Sequence, residues 1–343
     1  MTSGTLLIAG SIATDHLLTF SGKFADSLVV DQLDKLSVSF LVDDLEIRRG
    51  GVAANVCFGL GRLGLRPVLV GAVGEDFDEY RSWLERHNVD CQSVHVSESL
   101  HTARFIGTTD ADMAQFATFY AGAMSEARQI ELGPIVSRVG APSYVLIGAD
   151  DPEAMRRHTH ECRERGFPFI ADCSQQLAFG DGELIRDLID GAAILISNEY
   201  ESHIIEKKTG WSAEEILKRV GMQVTTLGKD GVRVSIADKT SVEVGATPEL
   251  TRADPTGVGD AFRAGFLAAL SWGLQLESAA QVGCTLAAYV VETVGTQEYD
   301  FTSAEFCQRL GGAYGPEVAA EVATHLAAPK ASESQRVTTR SSS

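Results

Sequence analysis

Six short apolar runs punctuate the chain: Leu6–Gly10, Val68–Val73, Tyr144–Gly148, Phe169–Asp172, Ala193–Ser197 and Val224–Leu227. Their brevity and their branched residues predict strands buried on both faces. Between them, Asp78–Arg86, Glu153–Arg165 and Glu183–Ile189 return to an apolar residue every three or four positions. That is the period of a helix with one face on a core. Buried strands alternating with amphipathic helices predict an α/β fold, with a central, mostly parallel sheet flanked by helices.

Three stretches break this rhythm. Residues 12–20, 36–49 and 92–120 alternate apolar and polar positions without an intervening helix. They predict antiparallel strands forming a small separate β-sheet, placed as a lid over a ligand cleft. From about Pro329 to Ser343 no apolar period remains, so 329–343 is expected to be a disordered tail behind a single domain over 1–328.

Composition narrows the classes of partner. With 44% hydrophobic and 22% charged residues, the 343-residue chain can bury a large core. Its formal charge of −18 repels polyphosphate, which excludes nucleic acid and anionic membranes as main partners. A small phosphorylated ligand can still be held by a local cluster of N–H groups. The six cysteines are scattered without a CxxC pair, as in a reducing compartment. The run Leu6-Leu7-Ile8-Ala9 is too short for a signal peptide, and no apolar stretch approaches a membrane span, so a cytosolic location is expected.

Candidate chemistry concentrates in Asp254-Pro255-Thr256-Gly257-Val258-Gly259-Asp260, which runs into the helical sequence Ala261-Phe262-Arg263-Ala264-Gly265-Phe266. A Gly-rich turn opens a helix here, with Thr256 as its expected N-cap. The N–H groups of Thr256, Gly257, Val258 and Gly259 then form an anion hole at the positive end of the helix dipole. Asp260 cannot bind a phosphate, because two anions repel. It suits a general base that takes the proton of an attacking hydroxyl. Favouring the helix N-terminus by charge alone is the plainer alternative. A second Gly-rich helix entry is Gly50-Gly51-Val52-Ala53-Ala54-Asn55, where Asn55 can donate and accept toward hydroxyls. By contrast, Gly59-Leu60-Gly61-Arg62-Leu63-Gly64 matches GxGxxG but follows a helical stretch, so it reads as a helix end and not a dinucleotide site. There is no GxxxxGK[ST]. On a helix His158 and Cys162 share a face that His160 does not, which argues against zinc.

Together the two glycine motifs carry a resemblance. GGVAANVCFGLGRLG resembles the N-terminal signature of the ribokinase (PfkB) family, and DPTGVGDAFRAGFL resembles its C-terminal signature, about 200 residues apart. Asn198-Glu199-Tyr200-Glu201 resembles the family's NxxE element, and the stretch Val224 to Gly231 its nucleotide-side strand and turn. Val258 stands where the family more often has alanine. The resemblance spans roughly residues 5–327 and implies a ribokinase-like fold with a β-lid. It implies ATP and Mg²⁺ as cofactors, admits K⁺ as an activator, and implies transfer of the γ-phosphoryl to a hydroxymethyl group. Asn198, Thr226, Gly228, Lys229 and Gly231 would then line the nucleotide, while Asn198 and Glu201 would organise Mg²⁺ through water. Asn198 and Glu201 also fit a helix capping box.

For the acceptor, the lid segment His101–Tyr120 offers aromatics (Phe105, Phe116, Phe119, Tyr120) and no net positive charge. That suits a purine base better than a sugar phosphate, although Arg48 and Arg49 can also serve a phosphate and some of these aromatics will be lid core. GSIATDHL, VSFLVDDL, HTARF, FYAGAMSEAR, DCSQQLA and GTQE resemble the actinobacterial-type adenosine kinases of this family. This implies adenosine and ATP as partners. Asp15, Gly51 and Asn55 would contact the ribose, with Ser11, Ser39, Phe105, Phe119 and Gln176 around adenine. A free-sugar kinase and a non-catalytic sensor on the same scaffold are the rival readings. Exposed lid edges invite a homodimer through the lid.

Overall fold

The computed structural model describes residues 4–28 and 37–326. The tail expected over 329–343 lies outside the described residues, as does residue 36 of the second lid stretch.

The strands, in chain order, are β1 (Thr5–Ala9), β2 (Ala13–Thr19), β3 (Asp44–Gly50), β4 (Val68–Val70), β5 (Ala72–Val73), β6 (His95–Val96) and β7 (Ala103–Thr109). They continue with β8 (Gln115–Tyr120), β9 (Pro142–Ile147), β10 (Phe169–Ala171), β11 (Ile194–Asn198), β12 (Met222–Thr226), β13 (Val232–Ser235) and β14 (Val242–Val244). Eight of them form one sheet in the order β14-β13-β12-β11-β10-β9-β1-β4. From β4 to β12 every neighbouring pair is parallel, and β13 and β14 add an antiparallel edge. Two apolar clusters lie on the sheet's two faces: Leu6, Ile8, Leu146, Ile170 and Ile194 point into one, and Leu7, Ala9, Val145, Ala171 and Leu195 into the other. Along β1, β4, β9, β10 and β11 successive apolar side chains enter the two clusters in turn, which is why the centres of these runs are apolar without a break.

The lid is a four-stranded sheet in the order β3-β2-β7-β8. It departs from the sequence expectation in two ways. β2 and β7 are parallel, so only the two outer pairings are antiparallel. The start of the third stretch, β6, pairs with β5 in a separate two-stranded sheet and does not join the lid. Residues 37–43 form no strand, and the lid core there is aromatic: Phe24, from a short helix over Phe24–Ser27, packs on Phe40 and Phe116 with ring centroids 4.9 and 4.6 Å apart.

Gly59 and Gly61 lie within the helix Val52–Arg62, and Gly64 just beyond it has φ +81°, so the GxGxxG match is a helix terminus. His158 is buried and bonds the Ile130 carbonyl, 3.2 Å away. No helix among the described residues is long and apolar enough to cross a membrane.

Candidate active site

The carboxyl ends of the parallel strands gather the candidate residues on one edge, where open α/β sheets hold ligands. Ser11 follows β1, Asp172 and Ser174 follow β10, Asn198 ends β11 and Thr226 ends β12. Against that edge stands the helix Val258–Ser271, and between them lies a cleft of about 450 Å³. Gly257, Gly259, Asp260, Asn198, Glu201 and Thr226 all line it.

Gly257, and not Thr256, is the N-cap of this helix. Its φ of +78° lies in the left-handed region, and a side chain there would collide with Thr296 at 2.8 Å. Thr256 gives its N–H to Asp254 Oδ1 at 2.9 Å, which removes it from the anion hole. Val258 N–H leans toward the Pro255 carbonyl at 3.4 Å. The N–H groups of Gly257 and Gly259 have no acceptor among the described residues and stay available to an anion. Gly259 has ordinary helical backbone, so its requirement is space: a Cβ there would lie 2.6 Å from Arg263 Nη1.

Asp260 is half-buried in the cleft wall, and desolvation there raises its carboxyl to about 6. Arg263 and a hydrogen bond from Asn55 oppose that rise, while Asp172 and Glu201 add to it. The result is a group ionised near neutrality yet basic enough to accept a proton. Asn55 Nδ2 donates to Asp260 Oδ2 at 2.9 Å. Its Oδ1 accepts from Gln297 Nε2 and Thr296 Oγ1, each at 2.9 Å. Behind them, Gln297 Nε2 also reaches Tyr80 Oη at 2.6 Å, Gln297 Oε1 accepts from Trp83 Nε1 at 3.1 Å, and Tyr80 donates to the Gly50 carbonyl at 2.9 Å. Asn55 is therefore first an orienter of Asp260, with one N–H left for a ligand. Gln297 lay in the GTQE stretch, but nothing in its spacing signalled a link to the base.

Asp172 and Arg263 were also missed. Arg263 lies one turn after Asp260 on the same helix, and Asp172 is fully buried at the end of β10. Arg263 Nη2 donates to Asp172 Oδ1 at 2.8 Å, and Nε lies 2.5 Å from Oδ2. An Arg in an otherwise apolar helix face was the available signal, since such a side chain needs a partner.

Asn198 and Glu201 form a reciprocal capping box: each side chain accepts from the other's backbone N–H at 2.8 Å. The plainer reading of this pair is thus present in the structure. Both residues still line the cleft, and burial raises the Glu201 carboxyl. Only Glu201 Oε2 is used by the cap, so Oε1 remains free to accept, and the pair would fit a hard cation such as Mg²⁺ held through water. Gly228, Lys229 and Gly231 belong to the turn between β12 and β13 and do not line the cleft, whereas Thr226 does.

On the acceptor side, Gly51 has φ +94°, and a Cβ there would lie 2.6 Å from the Ser11 carbonyl. Ser11 Oγ accepts from Val52 N–H at 3.1 Å. The lid register pairs Asp15 with both Arg48 and Phe105, and Phe105 with Phe119, which puts these four side chains on one face. Burial raises the Asp15 carboxyl against the pull of Arg48. Arg48 lies 3.5 Å from Asp254, tying the lid to the glycine turn. Phe119 is 56% exposed on that face. Phe116 instead belongs to the aromatic lid core. Gln176 Nε2 is engaged by the Asp150 carbonyl at 2.7 Å. Ser39 is exposed, and among the described residues no hydrogen bond joins it to the cleft.

Comparison with known proteins bears on the chain as a whole. The family model described as pfkB family carbohydrate kinase matches residues 23–302. A nucleoside kinase of Methanothermobacter thermautotrophicus is 28% identical over 315 residues, 91% of this chain and 97% of that protein. The structure of Burkholderia thailandensis nucleoside kinase in complex with inosine superposes with a TM-score of 0.79 at 30% identity, covering 90% of this chain and 99% of its own. The same protein in complex with ADP-inosine gives 0.76 at 31% identity, over 90% and 96%. These relatives carry the broader description of nucleoside kinase, not that of an actinobacterial adenosine kinase.

Proposed function

The chain belongs to the pfkB family of carbohydrate kinases, and from that premise we propose that it transfers the γ-phosphoryl of ATP to the 5′-hydroxyl of a purine nucleoside, adenosine first among them. The observation that carries this reading is Asp260: a cleft-lining carboxylate raised to about 6, oriented by Asn55, beside two N–H groups at a helix mouth that have no acceptor among the described residues. The acceptor oxygen bonds to the γ-phosphorus as the bridging bond to the β-phosphate breaks. Its proton passes to Asp260, and ADP leaves with the bridging oxygen. The N–H groups of Gly257 and Gly259 receive charge on the transferring group. Mg²⁺, when bound with the nucleotide, neutralises phosphate charge, and Asn198 and Glu201 would hold its water shell.

A nucleoside is favoured over a sugar by the lid face. Asp15 is a carboxylate for vicinal ribose hydroxyls, and Phe105 and Phe119 beside it offer flat surfaces to a base. The names of the relatives support the same class. We further propose that two copies pair through the lid's opposite face, where Ile47 and Ile106 flank His16 and are 58% and 38% exposed. Measured kcat/KM with ATP for adenosine, inosine, ribose and fructose 6-phosphate tests the acceptor. Adenosine is expected to lead; a leading sugar overturns the nucleoside reading, and a leading inosine corrects the base.

A further inference from the structure

Arg263 is 7% exposed, and its guanidinium is not fully used by the protein. Nε and Nη2 face Asp172, and Nη2 also lies 3.4 Å from Ser174 Oγ. Nη1 has no acceptor among the described residues, and Arg263 is one of the side chains that line the cleft. The helix geometry explains the direction. A side chain leans toward the helix N-terminus, so Arg263 covers the turn of Gly259 and Asp260. The missing Cβ of Gly259 is what lets Nη1 in, because that atom would stand 2.6 Å from it.

A buried ion pair is costly to desolvate, and an apolar pair of equal volume would serve stability as well or better. Here the pair sits behind a cleft that a polyphosphate has to enter, lined by the carboxylates of Asp260 and Glu201, with Asp172 fully buried beneath them. Asp172 offsets part of the arginine charge and fixes the planar fork, leaving one N–H edge directed at the cleft.

We propose that Arg263 is a phosphoryl-binding residue: Nη1 donates to the peripheral oxygens of the transferring phosphoryl group, with Asp172 as the side chain that aims it. This rests on the kinase reading for the class of ligand, not on which acceptor is used. As the new P–O bond forms and the bridging bond breaks, the bound cation stays in place and no proton leaves it, since guanidinium remains charged at all working pH values.

The test pairs Arg263→Met with the double variant Arg263→Met, Asp172→Leu, which removes the unpaired carboxylate along with the cation. With whichever acceptor the native protein turns over, kcat is expected to fall about 10²–10³-fold in both, with KM for the acceptor within about threefold. Recovery of kcat in the double variant to within threefold of native would mean that Arg263 only neutralises Asp172, and overturns the proposal. A direct readout on the native protein stands beside it. The ¹⁵Nη signal of Arg263, assigned by its absence in Arg263→Lys, is expected to move when ADP, Mg²⁺ and aluminium fluoride are added, and to stay in place with nucleoside alone. An unmoved signal overturns the contact even if neither variant folds. Absence of turnover with every nucleoside would refute the acceptor reading while leaving this resonance test intact.

Discussion

Replacing Asp260 by asparagine is expected to make the protein inactive and, at high pH, more stable. Asparagine keeps the size of the side chain and can still accept from Asn55 Nδ2 through its own carbonyl. It cannot take the acceptor's proton, and kcat should fall about 10²–10⁴-fold with the nucleoside affinity nearly unchanged. The stability gain follows from burial. The Asp260 carboxyl rises from its ordinary 3.8 to about 6 in the folded state. Because the folded value is the higher one, the cost is absent below the unfolded value, grows between about pH 4 and 6, and is complete above that. At 1.36 kcal/mol per pH unit it amounts to about 3 kcal/mol, an upper bound on what Asp260→Asn recovers at pH 8. The assays are steady-state turnover, calorimetry with nucleoside, and urea melts at pH 4.5 and 8. The same carboxyl should give native kcat/KM an acid limb near pH 6. Native-like kcat in Asp260→Asn, or a variant no more stable at pH 8 than at pH 4.5 relative to native, would refute the reasoning.

Gly259→Val should suppress phosphoryl transfer while adenosine binding stays measurable by calorimetry, because the new side chain displaces Arg263 Nη1 and not the nucleoside; unaltered turnover would mean the phosphates lie elsewhere. Phe119→Ala should cost about 1–3 kcal/mol of stacking, read as a rise in the KM for adenosine with the KM for ATP little changed. An unchanged KM for adenosine removes Phe119 from the base site. Light scattering should give twice the chain mass, and a monomer at every concentration would remove the lid dimer. Glu201→Gln should raise the Mg²⁺ concentration needed for half-maximal rate, and an unchanged Mg²⁺ dependence leaves Glu201 as a cap alone.

The parallel body was legible because its strands are buried on both faces, so a continuous apolar run such as Leu6–Gly10 has few other readings. The antiparallel edge of β13 and β14 was not, since strands of four and three residues are too short for their alternation to stand out from a turn-rich stretch. In the lid, alternation reveals strands but carries no information on direction, and the parallel pairing of β2 with β7 joins residues about ninety positions apart. Of the site, the glycine turn and Asp260 were readable because both are local. Gln297, Asp172 and Arg263 act through distance in space: their roles depend on contacts across 91 to 242 positions of sequence, which no spacing rule contains. The cap was misplaced by one residue because Thr256 is the better capping side chain, while the left-handed backbone at Gly257 decides the geometry.

The chain of side chains behind Asp260 has a direction. An indole can only donate, so Trp83 obliges Gln297 to turn its oxygen outward and its amide nitrogen inward. That nitrogen meets Asn55 Oδ1, so the Asn55 nitrogen is the atom that faces Asp260. Reversing any one amide would set two acceptors or two donors against each other along the whole row. The row therefore works as a one-way valve for hydrogen-bond polarity, set at Trp83 and read at the base as one N–H bond that favours the carboxylate against the larger opposing effect of desolvation. An indole two side chains removed from the base thus decides which atom of Asn55 the base meets.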